Sequence, residues 1–179
     1  MNAIFTKPVT AILLLLILTF TACKKNEDDS GANDSLYYLR CKVDGNIVNF
    51  KYRITGIKYE NEQGIHVEGS SIPDASKANT LSLSLLSETK SVDTGVYVEN
   101  RDPAYLLGSI YVPIGQTTMY WSGNPNSEKP FTIKIASKDN GILTGTFEGA
   151  LYETGVGIYG GTNLSKKILT EGEFKVPFN

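Results

Sequence analysis

The chain has 179 residues, 17 basic and 19 acidic side chains, one histidine and two cysteines. A formal charge of -2 gives no basic stripe of the kind that binds nucleic acid, and a single histidine excludes a histidine-rich metal centre. What remains open is a domain of ordinary size with a real core and a nearly neutral surface.

The first element is greasy: residues 11–23 read Ala-Ile-Leu-Leu-Leu-Leu-Ile-Leu-Thr-Phe-Thr-Ala-Cys. A transmembrane helix needs roughly 20 apolar residues to cross a hydrocarbon core of about 30 Å, and this run is shorter. Its length suits the h-region of a signal peptide, preceded by a basic n-region holding Lys7. Thr21 and Ala22 are small, as a signal peptidase requires before Cys23, although Phe20 stands where the lipobox pattern prefers Leu. The segment resembles a bacterial lipoprotein signal. Residues 1–22 are therefore read as signal peptide, and Cys23 as the lipidated first residue of the mature chain. The sulfur would carry diacylglycerol and the new amino terminus an acyl chain such as palmitate. Two attachments matter, because one chain gives marginal, reversible binding and each buried methylene adds about 0.8 kcal/mol. An uncleaved anchor with Lys24-Lys25 as its flank is the alternative.

Residues 24–35 contain no large hydrophobe. Such a stretch cannot bury enough surface to offset its ordering entropy, so residues 23–35 are read as a flexible acidic tether. With Cys23 lipidated, Cys41 has no partner for an intramolecular disulfide.

Residues 36–179 are read as one domain, and period-two alternation fills it. Tyr37, Leu39, Cys41 and Val43 form one strand face, Asp44-Gly45-Asn46 supplies a tight turn, and Val48, Phe50, Tyr52 and Ile54 return. Ile57 to Glu60 and Ile65 to Gly69 suggest a second hairpin, and the loop Pro73 to Asn79 has room for one helical turn. Leu81, Leu83 and Leu85 alternate with Ser82 and Ser84. Strands are expected at Val96 to Asn100, Tyr105 to Val112 and Thr117 to Ser122. Phe131, Ile133 and Ile135 begin another, joined through Lys138-Asp139-Asn140-Gly141 to a strand over Leu143 to Tyr152. Phe174, Val176 and Phe178 close the chain. About ten strands at this spacing predict an all-β fold, an antiparallel sandwich or partly open barrel.

Candidate chemistry is sparse. Gly155, Gly157 and Gly160 satisfy G-x-G-x-x-G, but the motif needs a helix whose amino terminus receives the pyrophosphate; here another strand must begin near Ile168, and a glycine-rich loop is expected. His66 falls outward beside Glu68, a solvated histidine. Cys41 shares parity with Leu39 and Val43 and reads as a small buried hydrophobe. Glu171 and Glu173 share a strand face, with Glu148 a candidate neighbour; a glycosidase needs two carboxylates about 5–10 Å apart, whereas surface acids pair with lysines such as Lys175. Asp139-Asn140 supplies too few oxygens for calcium. The aromatic residues carry the positive hint, because Tyr and Trp join a flat apolar face to a polar handle. Tyr120, Trp121 and Tyr159 are the candidate ligand or partner contacts, and opposite parity sends one of Tyr120 and Trp121 outward.

The lipobox, the acidic tether, Val43-Asp44-Gly45-Asn46, Leu143-Thr144-Gly145-Thr146-Phe147 and Leu169-Thr170-Glu171-Gly172-Glu173-Phe174 together resemble the small Bacteroidota lipoproteins with an uncharacterised all-β domain. The likeness spans nearly the whole chain, but its motifs are structural, glycines at turns or bends and phenylalanines pointing inward, and that family has no agreed activity to carry over. It implies that Lys25, Glu27, Asp28 and Asp29 act as a surface-export signal, interrupted by Asn26, and that Ser35 in Asp34-Ser35-Leu36 is a candidate O-glycosylation site. The expected function is a lipid-anchored, non-enzymatic interaction or accessory subunit, at the outer membrane and exposed at the cell surface. Its expected partners are the membrane, through the anchor, and an outer-membrane or surface protein. The alternative is a glycan- or ligand-binding module, and a glycoside hydrolase is third. No nucleic acid and no cofactor beyond the covalent lipid is implied.

Overall fold

The alternation is realised as strand in the computed structural model, which describes residues 36–124, 126–153 and 165–178. The signal segment, Cys23, the tether, Ser35, the glycine motif at 155–160 and Tyr159 lie outside the described residues. In chain order the strands are β1 (Tyr38–Val43), β2 (Asn46–Phe50), β3 (Tyr52–Lys58), β4 (Gly64–Ser70), β5 (Thr80–Leu86), β6 (Gly95–Val98), β7 (Leu106–Val112), β8 (Tyr120–Trp121), β9 (Thr132–Asp139), β10 (Ile142–Glu153) and β11 (Lys166–Pro177). No α-helix occurs among the described residues. The loop after β4 makes a 3-10 turn over Ala75–Lys77, capped by the Asp74 carboxylate on the Ser76 amide.

Every pairing between these strands is antiparallel, in the order β2-β1-β11-β10-β8-β7-β5-β4-β3. The two ends of that order are consecutive in sequence, since Lys51 alone separates β2 from β3. One bent length of chain thus belongs to both ends, with Arg53 at φ 53 just past the bend. A bridge from Gly56 to Phe178 brings β3 to the end of β11. The fold is all-β and nearly closed, as expected of a partly open barrel. β10 is the branch: residues 142–148 pair with β9, which carries β6 as an edge, while Tyr152 and Glu153 pair with β8. β8 is shorter than the expected Thr117–Ser122 strand, because its regular pairing is confined to two residues.

The first turn is fixed as its Asp-Gly predicts. Asp44 and Gly45 take φ 50 and φ 83, the left-handed values of a tight turn. Asp44 then docks on β11: its amide donates to the Ile168 carbonyl, its carboxylate accepts from the Ile168 amide, and Lys167 Nζ donates to the same carboxylate, each at 2.9 Å.

The core takes Leu39, Cys41 and Val43 from β1, the three alternate leucines of β5, and Phe131, Ile133, Ile135, Leu143, Phe147, Phe174 and Val176. Its centre is a phenylalanine stack, with Phe131 and Phe147 6.3 Å apart at 26° and Phe147 and Phe174 6.4 Å apart at 25°. Two of the three rings lie over glycines. Gly145 is registered opposite Phe174, and Gly172 opposite Phe147. A Cβ on Gly145 would fall 2.5 Å from Phe174 Cζ, and one on Gly172 2.6 Å from Phe147 Cδ2. Glu171, at φ 51, makes room for this arrangement by adding an extra residue to β11. Such a bulge shifts the alternation, so Leu169 and Gly172 face inward although three residues apart.

Gly145→Ala or Gly172→Ala should each lose about 1–3 kcal/mol, the usual cost of overpacking a filled core, read as a lower thermal midpoint. Gly108→Ala, where a Cβ meets open space, should lose nothing. Equal midpoints for all three would show that the ring-on-glycine fit is dispensable.

Candidate ligand-binding face

Strand register places the outward side chains in rows. One row crosses the sheet as Glu68, Ser82, Ile110, Trp121, Tyr152 and Lys166. A second, two residues along, runs Ile57, His66, Ser84 and Gly108. The alternate positions of the same strands, Ile65, Val67, Leu83, Leu85 and Leu107, are buried.

Trp121 is 45% exposed although its backbone is paired on one side to β7 and on the other to β10. An apolar ring held out on a fixed backbone costs little further entropy when it binds. Ser122 extends the hold, its amide donating to the Ser109 carbonyl at 3.0 Å and its hydroxyl accepting from the Ser109 amide at 2.8 Å. Tyr120 corrects part of the expectation: it is 6% exposed, its hydroxyl lies 3.4 Å from Ser165 Oγ, and Lys167 Nζ sits 5.6 Å from its ring centroid. Of this pair, Trp121 is the one at the surface, as opposite parity requires.

Beside Trp121 the face drops. Nothing lies within 4 Å of where a Gly108 side chain would be, so this position is a bare shelf on the sheet. The far side of the shelf is polar, with Ser84 Oγ 2.9 Å from His66 Nδ1 and His66 Nε2 3.4 Å from Glu68 Oε2. His66 and Glu68 stand outward together as their spacing predicts, but the imidazole is only 19% exposed because it packs against Ser84, a part-buried histidine where a solvated one was expected. Leu106, 70% exposed, and Ile57 form apolar margins.

The order serine, histidine, glutamate resembles nucleophilic machinery, and the surroundings decide against that use. Acyl transfer needs donors aimed at the developing oxyanion, and Ser84 sits mid-strand between β4 and β7, where the neighbouring backbone N–H groups are committed to ladders. The group serves better as a ready-made set of hydrogen-bonding partners.

The other candidates resolve into structure. Glu171 accepts from Lys42 Nζ at 2.6 Å and Glu173 pairs with Arg40 at 3.0 Å. Both cations come from β1, not from Lys175 as parity had suggested. Glu148 lies 3.8 Å from Lys129. Cys41 is buried, and burial pushes its thiol up to about 12, so it carries no thiolate for nucleophilic attack at neutral pH. Asn140 and Gly141 take φ 52 and φ 70, a turn in the Asp139-Asn140-Gly141 segment. No group of three metal-ligating side chains occurs among the described residues.

One buried acid escaped notice in the sequence. Glu99, 5% exposed, accepts from the Phe131 amide through Oε2 at 2.9 Å, while its own amide donates to the Phe131 carbonyl at 2.8 Å. Oε1 has no hydrogen-bond partner. The edge strand β6 stops at Val98, short of the expected Asn100, and Glu99 in the turn after it belongs to no apolar period from which such burial could be read.

Burial raises the Glu99 carboxyl above the ordinary glutamate value, outweighing the Phe131 amide that lowers it. The folded state therefore binds the proton more tightly than the unfolded chain. The associated stability is fully present below the unfolded value and is lost as pH rises through the folded one. Glu99→Gln keeps an acceptor for Phe131 and removes the charge. It should raise the midpoint at pH 7 by roughly 3 °C for a gain of about 1 kcal/mol, with the gain shrinking toward pH 4. A pH-independent difference would contradict the burial assignment. No protein-family model, curated protein or solved structure matches the chain.

Proposed function

We infer that the chain is a lipid-anchored, non-enzymatic binding module of the bacterial outer membrane, held at the cell surface through Cys23. Its working surface is the sheet face centred on Trp121. The observation that carries this reading is a tryptophan 45% exposed on a backbone paired on both sides. Trp and Tyr are the side chains that most often anchor recognition surfaces, and here Trp121 lies between Ile110 and Tyr152. The short apolar segment ending at Thr21-Ala22-Cys23 supports the anchor. Exposed Leu106 and Ile57 at the margins favour a second reading, an accessory subunit docking a membrane protein on the same face.

Two substitutions in the full-length protein test the two halves. Cys23→Ser should move the protein from the membrane to the soluble fraction and abolish incorporation of labelled palmitate; unchanged fractionation would remove the anchor. Trp121→Ala should lose whatever co-purifies with the wild type from detergent-solubilised membranes, at an unaltered thermal midpoint. Identical captured components would remove the face.

A further inference from the structure

We propose that the Trp121 face is a binding site for a neutral saccharide, one sugar stacking on the indole and the next lying on the Gly108 shelf against Ser84, His66 and Glu68. This rests on the reading of that face as the working surface, and adds the ligand's chemistry.

A pyranose ring has two kinds of surface. Its faces present C–H groups and are nearly apolar, while its rim carries hydroxyls that both donate and accept. A site for it needs an exposed aromatic plane, room beside that plane, and mixed hydrogen-bonding partners at the edge. Trp121 supplies the plane, and its electron-rich face attracts the partial positive charge of C–H groups. Gly108 supplies the room, because the space above it is open and it lies diagonal to Trp121, two residues from Ile110, across the β7–β8 pair. The Ser84 hydroxyl, His66 imidazole and Glu68 carboxylate supply an edge of acceptors and donors already positioned by one another at 2.9 Å and 3.4 Å. Neighbouring strands lie about 4.8 Å apart and alternate residues about 6.8 Å apart. Trp121 and Ser84 are two strands and one such step apart, roughly 12 Å by that spacing, a span a disaccharide bridges.

Charge selects among sugars. The Glu68 carboxylate is half exposed at the far end of the Ser84–His66 pair, while Lys166 lies beyond Tyr152 on the opposite side of Trp121. A uronate or sulfate on the shelf would meet like charge, which costs affinity and suppresses the wrong partner. The polar edge also separates a saccharide from an apolar protein surface, since desolvating Glu68, His66 and Ser84 without partners is costly.

Trp121 is the chain's single tryptophan, so its fluorescence reports on this site alone. The full-length lipidated protein, in a non-glycosidic detergent, would be titrated with neutral gluco-, manno-, galacto- and xylo-oligosaccharides and with their uronate or sulfated counterparts. A saturable blue shift is expected with at least one neutral series and none with the anionic ones. Gly108→Val fills the shelf while placing a strand-favouring side chain in open space, and should weaken binding about tenfold or more at an unchanged midpoint. Ser84→Ala should weaken it severalfold. Absence of a shift with every neutral series overturns the saccharide, as does full binding by Gly108→Val or equal binding of anionic sugars. If Trp121→Ala still loses a co-purifying membrane component in that event, the face is a protein-docking surface and the broader reading survives; if it loses none, both fall together.

Discussion

Phe147 on Gly172 and Phe174 on Gly145 form the contact on which the rest of this domain depends. Two adjacent strands each offer a ring and a bare backbone, reciprocally, so the rings can lie flat against the sheet instead of colliding above it. A slip of one residue would exchange every inward and outward side chain and would also put each ring over a threonine or glutamate. The interlock therefore sets the β10–β11 register more sharply than an aliphatic pairing would. β10 in turn places β9 along its first half and β8 along its second. The position of Trp121 on the outer face descends from that register.

Polar contacts then tie loops and turns to the sheet. Lys138 on β9 donates to the Val92 carbonyl and pairs with Asp93 at 2.9 Å and Glu62 at 3.3 Å. Burial works against its charge, but the hydrogen bonds to Asp93 and Glu62 outweigh that and hold the ammonium above the ordinary lysine value. One side chain thus ties the segment before β6 to the β3–β4 turn, where Val92 N also donates to Glu62 O at 2.8 Å. Asp44 does the same between the first hairpin and β11. Glu99 differs from both, since an acid with one unpartnered oxygen is accepted in return for fixing the start of β9 beside Phe131.

The outer face combines what a sheet does well: side chains at a fixed pitch, on a backbone paired on both sides. Rigid presentation lowers the entropy lost on binding, and the half-exposed Trp121 is the side chain that gains most from it. The same regularity makes the face a poor seat for acyl-transfer catalysis, because the ladders consume the amides an oxyanion would need. Ser84, His66 and Glu68 are accordingly read as recognition groups, although their order along the hydrogen bonds resembles a triad.

Alternation alone made most strands legible: Leu81, Leu83 and Leu85 had to share a buried face, Asp44-Gly45 had to turn, and Tyr120 and Trp121 had to part. The glycines of Leu-Thr-Gly145-Thr-Phe147 and Leu-Thr-Glu-Gly172-Glu-Phe174 read from the sequence as turns or bends. They proved to be floors beneath rings, because a missing side chain acquires meaning from the residue across the ladder, which sequence order does not name. Glu99 and Lys138 were invisible for the same reason, since their partners Phe131, Asp93 and Glu62 lie far along the chain. Strand faces, the tight turn and the hairpins of consecutive strands follow from local period and backbone sterics, which the order of residues already contains. Tertiary structure alone decided which strands neighbour one another beyond those hairpins, because such pairings join residues far apart in the chain, and hence that Trp121, Gly108, Ser84, His66 and Glu68 stand on one face.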